Sequence, residues 1–193
     1  MIEIKIIDFA HKQDINLPNE PFQLWGRMIP SYENETWHYT VTEYAPQDIS
    51  EMCFPDEDYD YDGLFKDHVF VGAYDGDKCI GVAILVDDWF KYMYLDDLKV
   101  CKSYRKQGVG KALLDKALEI ADARNYNGLY TIGQDNNLNA CMFYLKMGFT
   151  IGGFDNHIYR GTAQENKANI IFFNICPLIS LYIKTLSGTI PGK

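Results

Sequence analysis

The sequence predicts a mixed α/β fold, with strands first and then a β-α-β-α-β-β order. Three observations predict it. Two β-rich runs flank an Asp-Gly turn over 68–86, a long amphipathic helical pattern covers 106–125, and strand-like runs bracket a second helical pattern at 137–147. Strands leading, with helices only later, describe a mixed sheet rather than a doubly wound parallel one.

In order, residues 2–9 (IEIKIIDF) read as a short strand. Residues 12–35 hold three prolines and mixed character, and read as loop with a short helix. Trp37 to Tyr44 (WHYTVTEY) is β-branched and aromatic, hence a strand. Glu51 to Asp67 is a charge run with seven acids against one lysine. HVFVGAY and CIGVAILV, joined by DGDK, form a hairpin whose turn chemistry comes from Asp75-Gly76. KYMYLDDLKV, ending at Val100, is a further strand.

Over Lys106 to Asn125, Val109, Leu113, Ala117, Ile120 and Ala121 recur on one helical face, opposite Lys111, Asp115, Glu119 and Asp122. Gly128–Gly133 is a short strand. Asn137–Met147 is a helix ended by Gly148, and FTIGGFDNHIY and ANIIFFNI are the last strands. One domain is expected over 1–175, followed by an apolar, nearly uncharged tail, 176–193, read as docked or frayed.

The 193 residues carry 18 basic and 27 acidic side chains, a net charge of −9, with 47% apolar and 15% aromatic residues. That composition excludes a disordered chain and argues against nucleic-acid binding, which needs a basic face. It fits a cationic partner. The five cysteines are widely spaced without a Cys-x-x-Cys pair, and the four histidines are scattered, so a reducing compartment and no metal are expected. The N-terminus meets acids too early for a secretory leader, and no run approaches the ~18 apolar residues of a membrane span. The expectation is a soluble cytoplasmic protein.

Chemistry concentrates at 98–114 (LKVCKSYRKQGVGKALL), where a strand ends and a helix opens. Gly108 and Gly110 remove side chains where a ligand can approach the backbone, and the first helical N–H groups lack intrahelical partners. Lys99, Lys102, Arg105, Lys106 and Lys111 cluster there, with no acid between Leu98 and Leu114. This is an anion site at a helix start. A Gly-x-Gly pair alone also fits a merely shaped loop. The segment is neither a Walker loop nor a dinucleotide fingerprint.

Val100, Arg105-x-x-Gly108-x-Gly110 and the following helix resemble the acetyl-CoA signature of the GNAT-type N-acyltransferases. A second block, Asn137-x-x-Ala140-x-x-x-Tyr144-x-x-x-Gly148-Phe149, strengthens the likeness, which covers most of residues 35–175. Within that superfamily the chain is similar to streptothricin acetyltransferases, through residues 30–34 with Trp37, the acids near 56–62, 94–102 and 134–137. The tail departs from that pattern.

The resemblance implies a mostly antiparallel sheet flanked by helices and splayed between its two central strands. It implies acetyl-CoA as co-substrate, its pyrophosphate on the backbone amides of Arg105, Lys106, Gln107, Gly108, Val109, Gly110 and Lys111. The pantetheine arm would lie along Leu98, Lys99 and Val100, whose amides can receive a developing oxyanion. Asn137 caps the second helix or bonds the arm, and Tyr144 protonates the departing thiolate. By itself Tyr144 also reads as a core aromatic.

A primary amine has a pKa of ~10.4 and must lose a proton to attack. Asp96 or Asp97 can bind it as a cation and relay that proton. Regular alternation turns the two to opposite faces unless a bulge intervenes, with Asp96 sharing a face with Leu98 and Val100. The run Asp56, Glu57, Asp58, Asp60 reads either as a solvated loop or as a trap for a polycation, with Tyr59 and Tyr61 offering ring faces. Glu33, Trp37, Asp87 and Asp88 are further candidates for that wall.

The leading expectation is direct transfer of acetyl, in a ternary complex, to an amine of a cationic antibiotic, most of all the β-lysine amine of streptothricin. A protein or polyamine N-acetyltransferase, and a non-catalytic acyl-CoA-binding module, are the alternatives. A homodimer is compatible with either.

Overall fold

The computed structural model describes residues 1–88 and 91–176. The tail expected over 176–193 lies, beyond Cys176, outside the described residues. In chain order the strands are β1 (Ile2–Ile6), β2 (Phe22–Leu24), β3 (Gly26–Glu33), β4 (Thr36–Glu43), β5 (Ser50–Met52), β6 (His68–Asp75), β7 (Lys78–Val86), β8 (Met93–Val100), β9 (Gly128–Gln134), β10 (Thr150–Asp155) and β11 (Asn169–Ile175). The helices are α1 (Tyr61–Leu64), α2 (Val109–Ala123) and α3 (Leu138–Lys146), with 3-10 segments at Phe9–Asn16, Pro46–Asp48 and Lys102–Tyr104.

Seven strands form one sheet in the order β1-β6-β7-β8-β9-β11-β10. Neighbours run antiparallel except β8 and β9, which are parallel and pair only at Met93–Leu129 and Tyr94–Tyr130. Beyond Tyr94 the two strands part. β8 follows β7 as far as the Gly81–Val100 pair, while β9 stays with β11 through Gln134. This is the mixed sheet that the sequence pattern predicts, with the mostly antiparallel order and central splay that the family resemblance implies.

Strand alternation explains the two cores. Val69, Val71 and Ala73 of β6, with Leu85, Leu95, Leu129, Ile170 and Phe172, face α2 and α3 and meet Val109, Leu113, Ala117 and Ala121. Phe70, Tyr74, Val82 and Ile84 point to the opposite face, against Ile7, which follows β1, and against Ile15 of the 3-10 segment Phe9–Asn16, with Tyr59, Tyr61 and Leu64 behind them. Among the described residues the second face is thus covered over β6 and β7. On its continuation across β9, Ile132 is 41% exposed.

Two departures from the sequence reading have local causes. Residues read as loop contain β3, which forms a hairpin with β4 over its full length, closed at Asn34 and Glu35, both left-handed (φ 50° and 60°). Pro30 argues against a strand because it lacks a donor, yet among the described residues β3 has a strand partner, β4, on one edge alone. The second departure is the helix expected from Lys106, which begins at Val109 because Lys106 and Gly108 are left-handed.

The hairpin is clasped to the sheet at its base. The Met28 N–H donates to the Asp135 carbonyl (2.9 Å), and Arg27 Nε meets the buried Asp135 Oδ2 at 2.8 Å. A Cβ at Gly26 would lie 2.8 Å from the backbone carbonyl oxygen of Thr42 in β4 and equally close to Leu138 Cδ2, so glycine suits the place where β3 meets both β4 and α3.

At Gly128, where β9 begins, a Cβ would lie 1.9 Å from the Asn174 carbonyl oxygen of β11. Both partners are backbone and cannot swing aside. Gly128→Ala is expected to cost about 2 kcal/mol, seen as a drop of about 4–8 °C in the thermal midpoint.

Candidate active site

The site is organised by one irregularity in β8. Opposite β7, Ile84 pairs with Asp97 and Leu85 with Leu95, so Asp96 is an extra residue, a β-bulge. Its effect appears in the packing: Met93, Leu95, Leu98 and Val100 all face α2, although Leu95 and Leu98 are three apart. Asp96 and Asp97 therefore both point to the other face. The regular-strand expectation, which gave Asp96 the face of Leu98 and Val100, is corrected by this bulge.

On that face the side chains converge. Tyr59 Oη donates to Asp96 Oδ2 (3.1 Å). Asp97 Oδ2 lies 3.1 Å from Lys99 Nζ, which also donates to Glu57 Oε2 and to the Leu17 carbonyl (3.2 Å). The 57–60 loop is held there by Asn16, whose side chain bonds the N–H and the carbonyl of Tyr59 (2.8 and 3.0 Å). Burial pushes the Asp97 carboxyl up to about 6 although Lys99 pulls it down. Burial also raises the Tyr59 hydroxyl, and the Asp96 and Asp97 charges raise it further, so it stays a neutral donor.

Tyr144 stands on the α2 side of the parting between β8 and β9. Its ring packs on Phe149 and Phe172 (centroids 5.3 and 5.5 Å apart). Burial raises its hydroxyl to about 12, the Thr131 hydroxyl pulling against and the Asp97 charge pushing the same way. Such a group is protonated at neutral pH and can act as a donor. Thr131 Oγ1 donates to the Leu95 carbonyl (2.9 Å), bridging the strands just where their ladder stops. Sequence reasoning missed Thr131, and a single threonine in a strand carries no signal for it.

At the other end of the parting, Lys102–Tyr104 and the left-handed Lys106 and Gly108 (φ 61° and 87°) lead into α2. The first helical bond is Ala112 N–H to the Gly108 carbonyl (3.0 Å), so the amides of Val109, Gly110 and Lys111 precede the ladder. Gly108 has nothing within 4 Å of a built Cβ, whereas one at Gly110 would sit 3.1 Å from Phe143 Cζ. Gly108 thus serves the loop's conformation, and Gly110 the contact between α2 and α3.

The basic cluster is more nearly balanced in space than along the chain. The Lys99 ammonium belongs to the acidic face rather than to the helix start. Lys111 pairs with Asp115 (2.6 Å). Arg105 donates to the Val100 carbonyl (2.8 Å) and to Glu20 (3.0 Å), which also accepts from the Lys102 N–H (2.5 Å). Gln107 bonds the Ser103 carbonyl (2.8 Å). What the helix start offers an anion is chiefly backbone amides and the helix dipole.

The remaining candidates divide. Asn137 caps α3 by accepting from Ala140 N–H (3.3 Å). Asp56 accepts from Asn19 N–H (2.6 Å), Asp60 from Asp62 N–H (3.2 Å), and Asp58 is exposed. Tyr61 turns inward, its hydroxyl donating to the Ile7 carbonyl (3.3 Å), and so offers no ring to a ligand beside Asp96. Glu33 and Trp37 lie at the tip of the β3–β4 hairpin, Trp37 against Tyr32 (4.9 Å), apart from the acidic cluster. Asp87 pairs with Arg124 (2.7 Å), and Asp88 accepts from Tyr130.

The sequence profile of the acetyltransferase (GNAT) family matches residues 32–149. The chain belongs to this family. It is an N-acetyltransferase whose co-substrate is acetyl-CoA, and the site fits that molecule: an unladdered strand edge from Leu95 to Val100, a protonated tyrosine beside it, and free helix amides at its end. The acetyltransferase is 37% identical over 164 residues to streptothricin acetyltransferase A of Bacillus subtilis (strain 168), covering 83% of this chain and 92% of that one. A solved Bacillus anthracis str. Ames structure in complex with acetyl coenzyme A, of a protein assigned as a streptothricin acetyltransferase, superposes with a TM-score of 0.79. The two are 28% identical, covering 91% of this chain and 98% of that one. A nourseothricin acetyltransferase shares the fold at a TM-score of 0.74 and 22% identity, over 91% and 99% of the two chains.

Two outcomes test this geometry. Gly108→Asp puts a carboxylate beside the helix start without a packing clash, at a residue type that tolerates left-handed backbone. The KM for acetyl-CoA should rise about tenfold over that of Gly108→Asn, one unfavourable charge contact of about 1.4 kcal/mol, the two variants sharing the left-handed strain at this position. The second concerns Asp97, whose folded value of about 6 lies above the ordinary 3.8. Its contribution to stability is fully present below the ordinary value and is lost as pH rises through the folded one. Asp97→Asn should flatten the pH dependence of unfolding between these two values, as followed by denaturant titration.

Proposed function

We propose that the acceptor is a polycationic antibiotic of the streptothricin class, acetylated on its β-lysine amine by direct transfer in a ternary complex. The observation that carries this reading is the bulge, which turns two carboxylates to one face beside the strand edge available to the thioester. The 37% identity to a streptothricin acetyltransferase, over nearly the whole of that relative, supports the choice of antibiotic.

In this reading Asp96 receives the ammonium and accepts its proton, directly or through water, freeing the nitrogen lone pair. Tyr59 orients Asp96 by its hydrogen bond. Asp97, tied to Lys99 and Glu57, holds the acidic loop against β8 and is a positioning residue. The amides of Leu98 to Val100 donate to the carbonyl oxygen of the acetyl group, and Tyr144 gives its proton to the departing sulfur. Acetyl-CoA supplies the acetyl group as an activated thioester. Acetylation removes one positive charge from a drug that depends on such charges to hold an anionic target.

The decisive experiment incubates the enzyme and acetyl-CoA with streptothricin, spermidine and lysine-rich peptides, reading CoA release and acetyl mass. Streptothricin should be turned over far faster than the others, and equal turnover of all three would overturn the assignment. Tyr144→Phe should lower kcat by about 10²–10⁴-fold, the range for a lost general acid, with little change in the KM for acetyl-CoA. An unaltered kcat would remove Tyr144 from the chemistry.

A further inference from the structure

Where the ladder between β8 and β9 stops, a side chain takes over from the backbone. The last pair in register is Tyr94–Tyr130, and the next carbonyl along β8, that of Leu95, accepts from Thr131 Oγ1 at 2.9 Å. Thr131 is buried, and it alternates with Tyr130 so as to share the face of Leu129, toward α3. Across the ladder to β11 it is in register with Phe172, and the Tyr144 ring lies on Phe172 with centroids 5.5 Å apart. The Thr131 hydroxyl is within hydrogen-bonding reach of the Tyr144 hydroxyl and draws its pKa down against the effect of burial.

Donor counting gives this contact a direction. A threonine hydroxyl carries one O–H and two lone pairs. At rest the O–H is committed to Leu95, so the lone pairs are what Tyr144 meets, and the phenol donates to them. A phenol that gives its proton away becomes an anion in need of a donor. Hydrogen bonds to an ionised acceptor are roughly twice as strong as neutral ones, so the Thr131 O–H is then better placed on the phenolate than on an amide carbonyl.

We infer that Thr131 is a positioning residue for Tyr144: its hydroxyl anchors the phenol at the parting of β8 and β9 and, during transfer, turns from the Leu95 carbonyl to the phenolate. In that step the carbon–sulfur bond breaks, its electron pair goes to sulfur, and sulfur takes the Tyr144 proton. The phenolate is held by Thr131 until it regains a proton, by way of solvent, from those the acceptor nitrogen sheds in becoming an amide. Thr131 itself neither gains nor loses a proton. This inference rests on the reading of Tyr144 as the general acid.

The test measures kcat and both KM values in the full-length enzyme, with acetyl-CoA and the fastest of streptothricin, spermidine and a lysine-rich peptide. Thr131→Val keeps the shape and removes the hydroxyl. It should lower kcat about tenfold, the effect of one lost hydrogen bond to a charged group, and leave both KM values within about twofold. Thr131→Ser, which keeps the hydroxyl, should return kcat to within about threefold of the wild type. In a Tyr144→Phe background Thr131→Val should change kcat by less than about twofold, because the phenolate it serves is gone. Should Thr131→Val fail to fold, Thr131→Ala replaces it with the same expectations. An equal loss in both backgrounds, a serine variant as slow as the valine one, or an unaltered kcat in Thr131→Val overturns the inference. The two readings fail distinguishably: Tyr144→Phe at the wild-type rate overturns both, whereas a slow Tyr144→Phe beside Thr131→Val at the wild-type rate sinks the role of Thr131 alone.

Discussion

The constraint on which the rest depends is the parting of β8 from β9. A strand buried in the middle of a sheet normally has both edges satisfied, because an unpaired buried amide is costly. Here β8 keeps its full ladder with β7 and abandons β9 after two residue pairs. The stretch from Leu95 to Val100 therefore presents polar backbone to a cleft, and that cleft is what an extended acyl-pantetheine arm can complete. Thr131 on one wall, Tyr144 behind it and the helix start at its far end are all placed by where that ladder ends.

The bulge at Asp96 solves a second problem on the same strand. Hydrophobic anchors are needed on the α2 side before and after the cleft, and carboxylates are needed on the opposite side between them. Strict alternation cannot put two consecutive acids on one face. One inserted residue does, while leaving Leu95 and Leu98 in the same core. Lys99 then has a defined duty: buried beside Asp97, it holds the Glu57 loop against the sheet and keeps part of the negative charge matched. Of the loop's other acids, Asp60 caps α1, Asp56 bonds Asn19 and Asp62 pairs with Lys12, so most of the acidic stretch is a built wall more than a diffuse trap.

Much of this was legible in the residues because it rests on local chemistry. The 68–86 hairpin announced itself by Asp-Gly between alternating runs, α2 by its apolar stripe, and the end of α3 by Gly148, which is left-handed at φ 87°. The turn into α2 was legible through its glycines, although Gly110 answers to the packing of Phe143. What stayed hidden depends on contacts between distant segments. The bulge cannot be seen in a hydropathy pattern, since two adjacent aspartates look alike whichever way they point. Lys99 looked like part of a basic cluster because Glu57 is 42 residues away. Pro30 masked a strand that needed a ladder on one side.

The base of the β3–β4 hairpin has a further consequence. Beyond Met28 most of the hairpin is solvent-exposed; Arg27, Met28 and Gly26 hold its base, and nearer the tip Trp37 packs against the main core. An element held at so few points opens as a unit while the sheet stays intact. Its amides would exchange with solvent ahead of those in β6 and β7, and proteolytic nicks would collect near Asn34. Strand β8, whose hydrogen bonds run to β7, would survive that loss.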